Sequence, residues 1–412
     1  MTVLDLPTAS PGTRRRLPDG VSFGLLMSIV VFFIASSAAP TPLYAVYAHE
    51  WGFSPITTTV VFGVYAVAVL VSLLTLGRLS DHVGRRPVLL AAVLVQALTM
   101  LLFATAAGVP ELLAARVAQG LATGAAAGAV GAAMLDLDRA RGTLANAISP
   151  PLGTAIGAIG SSLLVQFLPA PTHLVFLALG AVFVVQAVGL GLMRETSSRV
   201  PGALASLRPE FGLPSAVRRP LLVAAPALVA AWAIPGFFAS LGPVLTRTVL
   251  GSDSYVVGSL ALFILAAAAA VAVLVFRSLS PRAQMLLGTV TIPLGVGMAV
   301  LAFGLASAVV LFTGTVIAGV GFGSAFQGAI RMVLPHAAEH QRAGVLSVLY
   351  VVSYLAMGLP AVVGGFLAVY AGGVVAAGRE YGLAVIVLAV IALLGLARPA
   401  PQPTCPACPA AG

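Results

Sequence analysis

The chain has 412 residues, 60% of them hydrophobic and 8% charged, with 21 basic residues against 12 acidic ones. A soluble domain carries about 25% charged residues, so this composition excludes a water-soluble globular protein. The net charge of +9 would suit a nucleic-acid binder, but the basic residues, all of them arginine, lie between long apolar runs. That distribution excludes nucleic acid as a partner and points to the lipid bilayer.

Twelve spans are expected, at 21–47, 56–77, 87–107, 110–134, 143–167, 173–193, 221–247, 255–276, 284–304, 307–333, 343–371 and 381–397. Each is long enough to cross a hydrocarbon core as a helix, which takes about 20 mostly apolar residues. Strand alternation is absent, so the fold class is an all-α membrane protein. Residues 1–20 form an N-terminal tail, 21–193 a six-helix half, 194–220 a polar linker, 221–397 a second six-helix half and 398–412 a C-terminal tail. With an even number of spans both termini share a side. Eighteen of the 21 arginines fall there, from Arg14 and Arg15 to Arg398. This asymmetry predicts cytoplasmic termini in a cell inner (plasma) membrane.

In chain order, the first span is interrupted by Pro40 and Pro42, with Ser36, Ser37, Thr41 and Tyr44 around the break. Span two ends in the loop Gly77-Arg78-Leu79-Ser80-Asp81-His82-Val83-Gly84-Arg85-Arg86-Pro87. Gly77 and Gly84 permit a tight turn, and Asp81 can pair with Arg85 or cap a neighbouring helix. Span four carries Arg116, the one charge clearly inside a span, with Gln119, Gly120 and Gly124 on following turns. An intramembrane charge commonly faces a cavity, and small residues four apart let helices approach closely. Span five offers Asn146 and Gly157. The uncharged run 142–193 must turn at Leu168–Thr172, where two prolines stand.

Past the linker, Trp232, Phe237 and Phe238 flank Pro235-Gly236 in span seven, where a broken helix is expected. The run 283–330 is expected to turn near Gly304. Span ten holds Gly319 and Gly323, at an offset of 199 from Gly120 and Gly124, then Phe322, Phe326 and Gln327. Arg78 and Arg277 share that offset, which indicates two related halves. Span eleven holds Tyr350, Tyr354 and the segment Gly358–Gly365. His336, Glu339 and His340 are a weak metal set, and Cys405 and Cys408 lie in a Pro-rich tail. No metal, cofactor or catalytic site is therefore expected.

The loop 77–87 resembles the loop motif of the major facilitator superfamily, Gly-x-Leu-Ala/Ser-Asp-Arg-x-Gly-Arg-Lys/Arg, with His82 in place of the usual Arg. Arg116 with Gly120 and Gly124 is similar to a second motif of that family. Gly157-Ala158-Ile159-Gly160-Ser161-Ser162 is a degraded version of a third, found in exporters. The resemblance implies twelve helices in two pseudo-symmetric halves, alternating access, no enzymatic activity and a functional monomer. It also implies a conformational latch at Gly77, Asp81, Gly84, Arg85 and Arg86, with Asp81 meeting the start of span eleven near Arg342–Gly344.

Cavity or coupling roles are expected for Arg116, Gln119, Asn146, Trp232, Phe237, Phe322, Gln327 and Tyr354. Helix packing is expected at Gly120, Gly124, Gly157, Gly319 and Gly323. Protons are a candidate partner, and the nearest proton sites are Glu50 and Glu111. An interior with one Arg and no acid suits neutral or anionic, largely apolar solutes. Export of such compounds, in the manner of a drug-efflux protein, is the leading expectation. Uptake of a small metabolite is the alternative within the class, and a non-transporting membrane sensor or assembly subunit the alternative outside it.

Overall fold

The structure is a computed structural model that describes residues 16–208, 213–338 and 341–397. Arg14, Arg15, Glu210, Glu339, His340, Arg398, Cys405 and Cys408 lie outside the described residues.

Fifteen α-helices occupy the described residues. Those before the linker are α1 (Asp19–Ala38), α2 (Pro40–Trp51), α3 (Pro55–Leu76), α4 (Leu79–Val83), α5 (Arg85–Ala104), α6 (Val109–Leu137), α7 (Arg139–Phe167) and α8 (Pro171–Leu192). After it come α9 (Ser215–Ser240), α10 (Gly242–Leu250), α11 (Tyr255–Val275), α12 (Pro281–Leu305), α13 (Ala308–Val333), α14 (Arg342–Tyr370) and α15 (Val374–Ala397). Twelve stretches are long and apolar enough to span a membrane. Their outward faces carry large apolar side chains, such as Val185, Leu222 and Val309, each at least 70% exposed. In water such a surface would aggregate; here it is the face for acyl chains.

Polar punctuation sets the boundaries. The hydroxyls of Ser54, Ser254, Ser280 and Ser307 each accept a backbone N–H in the first turn of the helix that follows, supplying a partner for a donor that the helix cannot satisfy itself. Asp138 does the same for α7. Span one is broken at Ala39, ahead of Pro40 and Pro42, and the expected turns after spans five and nine fall at Leu168–Ala170 and Ala306. Span seven departs from expectation. Helix α9 runs unbroken through Pro235 and Gly236, and the break falls at Leu241, ahead of Gly242-Pro243. A proline is tolerated within a membrane helix; two residues before Pro235 the Ala233 carbonyl accepts from Tyr381 Oη, 2.8 Å, which ties α9 to α15. Span twelve begins at Val374, earlier than expected, so Arg379 and Glu380 lie on its first turns, both exposed.

The repeat is structural as well as sequential. A Cβ on Gly120 would fall 2.5 Å from Ala68 Cβ and 2.7 Å from the Tyr65 carbonyl, and one on Gly319 would fall 2.4 Å from the Leu265 carbonyl and 2.8 Å from Ala268 Cβ. Gly124 against Val69 and Gly323 against Ala269 repeat the pattern one turn later. So α6 crosses α3 as α13 crosses α11, with backbones in contact at both crossings. Gly157 presses on Ala35 in the same way and joins α7 to α1.

The halves meet along α3 with α14 and α7 with α11. Gly63 approaches Val362, Gly365 approaches Thr59, and Gln166 Oε1 accepts from the Tyr255 N–H at 2.8 Å and from Ser254 Oγ at 3.2 Å. One apolar cluster bridges this seam, joining Phe62, Tyr65, Ala66 and Val69 to residues of α9, α11, α13 and α14. A separate core fills the N-terminal half, and another the arginine-rich end of the C-terminal half.

Candidate functional site

At the arginine-rich side the loop after α3 forms a network of charged caps. Gly84 takes φ +101°, a conformation that favours glycine, and a Cβ there would collide with Glu195. Glu195 lies just past α8 and accepts from the N–H groups of Arg85 (2.8 Å) and Arg86 (3.2 Å), so it caps the positive end of α5. Arg86 answers in the other direction. Its Nε donates to the Leu190 carbonyl at 2.8 Å and its Nη2 to that of Gly191, closing the negative end of α8. Arg85 Nη1 reaches Asp81 and Ser80 Oγ (2.9 Å), and its Nε reaches Asp136 at 3.4 Å. Gly77 sits where α3 ends, and a Cβ on Gly128 would fall 2.6 Å from its carbonyl.

Among the described residues, the structure pairs Asp81 with Arg85 rather than with the start of α14, where Arg342 is exposed. His82 also has a defined task. Its backbone carbonyl accepts from Val200 N–H at 3.0 Å, and its Nδ1 lies 3.1 Å from the Pro201 carbonyl. The linker is thereby strapped across the loop.

Arg116 is fully buried. Its Nε donates to Tyr44 Oη (3.1 Å), its Nη1 to the Ser37 carbonyl (3.0 Å) and to Gln119 Oε1 (2.6 Å), and its Nη2 also to Tyr44 Oη. Gln119 Nε2 then donates to the Ser36 carbonyl at 3.0 Å. The rings of Tyr44, Tyr65 and Phe103 lie 5.4–5.7 Å from the guanidinium carbon, within cation–π range. The proline break between α1 and α2 is part of this arrangement, because Ser36, Ser37 and Tyr44 flank it. The guanidinium is thus enclosed by its own half, and Tyr44 stands between it and the outer end of the molecule.

The second group is aromatic and belongs to the C-terminal half. Trp232 meets Phe322 edge-on (5.6 Å, 89°), Phe326 edge-on (5.1 Å, 82°) and Tyr354 at a tilt (5.7 Å, 40°). All four are partly exposed, and Trp232, Phe322 and Tyr354 border the cluster that bridges the halves. Trp232 Nε1–H is buried and has no hydrogen-bond acceptor among the described residues. An indole donor without an acceptor inside a protein is unusual.

The other expected positions are dispersed. Phe237 is buried in the apolar cluster that bridges the halves, 4.6 Å from the Tyr381 ring. Asn146 Nδ2 donates to the Gly131 carbonyl at 3.1 Å and ties α7 to α6. Gln327 is partly exposed on α13. Glu50 and Glu111 are exposed at helix ends on the side opposite the arginines. Glu195 and the ring of Phe103 are functional contacts that the sequence alone did not single out.

The family model described as Major Facilitator Superfamily matches residues 22–359. The chain belongs to that superfamily. It is a secondary-active, alternating-access membrane transporter and not an enzyme. Among solved structures, this transporter is similar to a bacterial homolog of the human lysosomal transporter Spinster, in an inward-facing and unoccupied conformation. The two share 13% identity over 94% of this chain and 98% of that one, with a TM-score of 0.73. The nucleoside transporter NupG is similar at 14% identity, covering 93% and 100%, with a TM-score of 0.70. The human organic anion transporter MFSD10 (TETRAN) is similar at 19% identity, covering 93% and 100%, with a TM-score of 0.62. At these identities the likeness carries the fold. No curated protein matches the chain by sequence.

Proposed function

We propose that this transporter exports small, largely apolar compounds that are neutral or anionic, acting as a monomer with its arginine-rich side in the cytoplasm. The observation that carries this reading is the Trp232–Phe322–Phe326–Tyr354 cluster at the seam, with its unpartnered indole N–H. Aromatic walls with one or two placed donors suit apolar ligands that carry an acceptor. Charge supports the same class. Arg116 is the only charged side chain buried among the described residues, and a buried cation without an acid disfavours cationic cargo. The exposure of Glu50 and Glu111 gives no support to a proton relay through either.

Asp81 serves as the latch of the cycle. It pairs with Arg85 in the state described here and engages the arginine-rich end of α14 in the alternate state. The test is accumulation of a compound panel in cells with and without the protein. Reduced accumulation of apolar neutral or anionic members is expected, abolished by Asp81→Asn and weakened by Trp232→Ala. Unchanged accumulation of every compound, with expression confirmed, would sink export. Accumulation raised by the protein would mean uptake.

A further inference from the structure

On the side opposite the arginine-rich face, the two halves line an open cavity of about 610 Å³. This lies within the range of small-molecule sites, roughly 300–1,000 Å³. Thr41, Tyr44 and Phe53 line it from the N-terminal half, and Pro243, Arg247 and Asp253 from the C-terminal half. It is distinct from the Trp232 cluster, none of whose members lines it.

Arg247 is held in place and left with donors to spare. Its aliphatic stem lies on Gly258, where a Cβ would come within 3.1 Å of Arg247 Cδ, and its guanidinium stacks 4.8 Å from the Tyr255 ring. Nε donates to the Ser252 carbonyl at 3.3 Å. The terminal nitrogens have no hydrogen-bond acceptor among the described residues; the nearest carboxylate, Asp253, stands 3.7 Å away and is fully exposed. An exposed pair of this kind contributes little, so an incoming anion can displace it. Across the cavity, the Tyr44 ring separates the ligand space from the buried Arg116, whose charge adds to the positive potential there. The hydroxyl of Thr41, buried on the same wall, also has no partner among the described residues.

We propose that this outer vestibule is a second ligand site, taking a small amphipathic organic anion whose carboxylate or sulfonate pairs with Arg247 while its apolar part lies between Phe53, Pro243 and the Tyr44 ring. An aromatic carboxylate fits because it offers a forked acceptor to a forked donor. Because the wall comes from both halves, an occupant holds their outer ends at this spacing, and so slows transport without competing at the Trp232 cluster.

The test exploits the presence of only two tryptophans. Trp51 ends α2, 6.4 Å from the ring of the lining residue Phe53, whereas Trp232 reports on the central cluster. In purified full-length protein, 4-nitrobenzoate is titrated as a quencher against Trp232→Phe, which retains Trp51, and against Trp51→Phe, which retains Trp232. Saturable quenching of Trp51 is expected, with neutral 4-nitrobenzamide binding about tenfold more weakly. Arg247→Gln should weaken the carboxylate about tenfold and leave the amide unchanged. Arg247→Lys should recover part of the loss, and Asp253→Asn, which removes the competing anion, should tighten binding about threefold. Non-saturable quenching of Trp51, equal affinity for the amide, or an unaltered carboxylate affinity in folded Arg247→Gln would each overturn the proposal. Saturable quenching confined to Trp232 would also overturn it, while leaving the central reading standing. If Arg247→Gln does not fold, the contrast between carboxylate and amide at Trp51 in Trp232→Phe decides.

Discussion

Where α6 crosses α3, the N-terminal half buries Arg116 in a closed set of hydrogen bonds; where α13 crosses α11, the C-terminal half places Thr315 at the matching position. Thr315 is fully buried and returns its hydroxyl to the Leu311 carbonyl of its own helix, 2.8 Å. Both crossings rest on glycines in backbone contact, and both halves cap the helix after the loop, α5 with Glu195 and α12 with Ser280. Even the arginine caps recur: Arg86 closes α8, and Arg282 donates to the Leu396 carbonyl at the end of α15, 3.0 Å. Duplication has kept the joints and changed the contents. The N-terminal half spends the polar groups at its centre on itself. The other leaves Trp232, Phe322, Phe326 and Tyr354 partly exposed, with the indole N–H unpartnered among the described residues.

The sharpest way to break this comparison is to attack the shared joints. Gly120→Val and Gly319→Val should each destabilise by about 3 kcal/mol, seen as similar falls in the melting temperature of purified protein. A variant that one half tolerates and the other does not would show that the crossings are not equivalent. Next comes the difference in contents. Arg116→Met should lose about 2 kcal/mol through the acceptors it leaves unpaired and abolish transport in proteoliposomes. Thr315→Val should lose under about 1 kcal/mol and transport normally; equal losses at the two positions would erase the distinction.

The caps come third. Glu195→Gln and Ser280→Ala should each lower stability by about 1 kcal/mol, and only the first should loosen the linker. Smallest is His82→Ala, for which an unchanged melting temperature is expected. Cleavage by trypsin after Arg199 should accelerate a few-fold as the strap opens locally. Unchanged cleavage would leave His82 with no strapping role.

Spans and joints were legible in the sequence because each rests on a constraint that acts locally. A bilayer demands about 20 apolar residues, the prolines at 169 and 171 stand at the turn between α7 and α8, and glycines four apart mark a close crossing. The content of the site was legible only in part. Gln119 follows Arg116 by one turn, so its role could be read from spacing. Glu195 reaches α5 across 110 residues of chain, and no local pattern carries that return. Phe237 and Trp232 lie little more than one turn apart, yet one packs on Tyr381 and the other on Phe322, Phe326 and Tyr354. Which face a helix turns inward is decided by its neighbours, here Gly236 pressed on the Met357 carbonyl.

The two interruptions at Ala39 and Leu241 give the molecule a pair of short levers. Helix α2 has 12 residues and α10 has 9, or about 18 and 14 Å at 1.5 Å per residue. A tilt of about 10° at Ala39 would carry the far tip of α2 roughly 3 Å, enough to admit or expel a ring at the outer mouth. Arg116, anchored to both sides of that pivot through Ser37 and Tyr44, would set its stiffness.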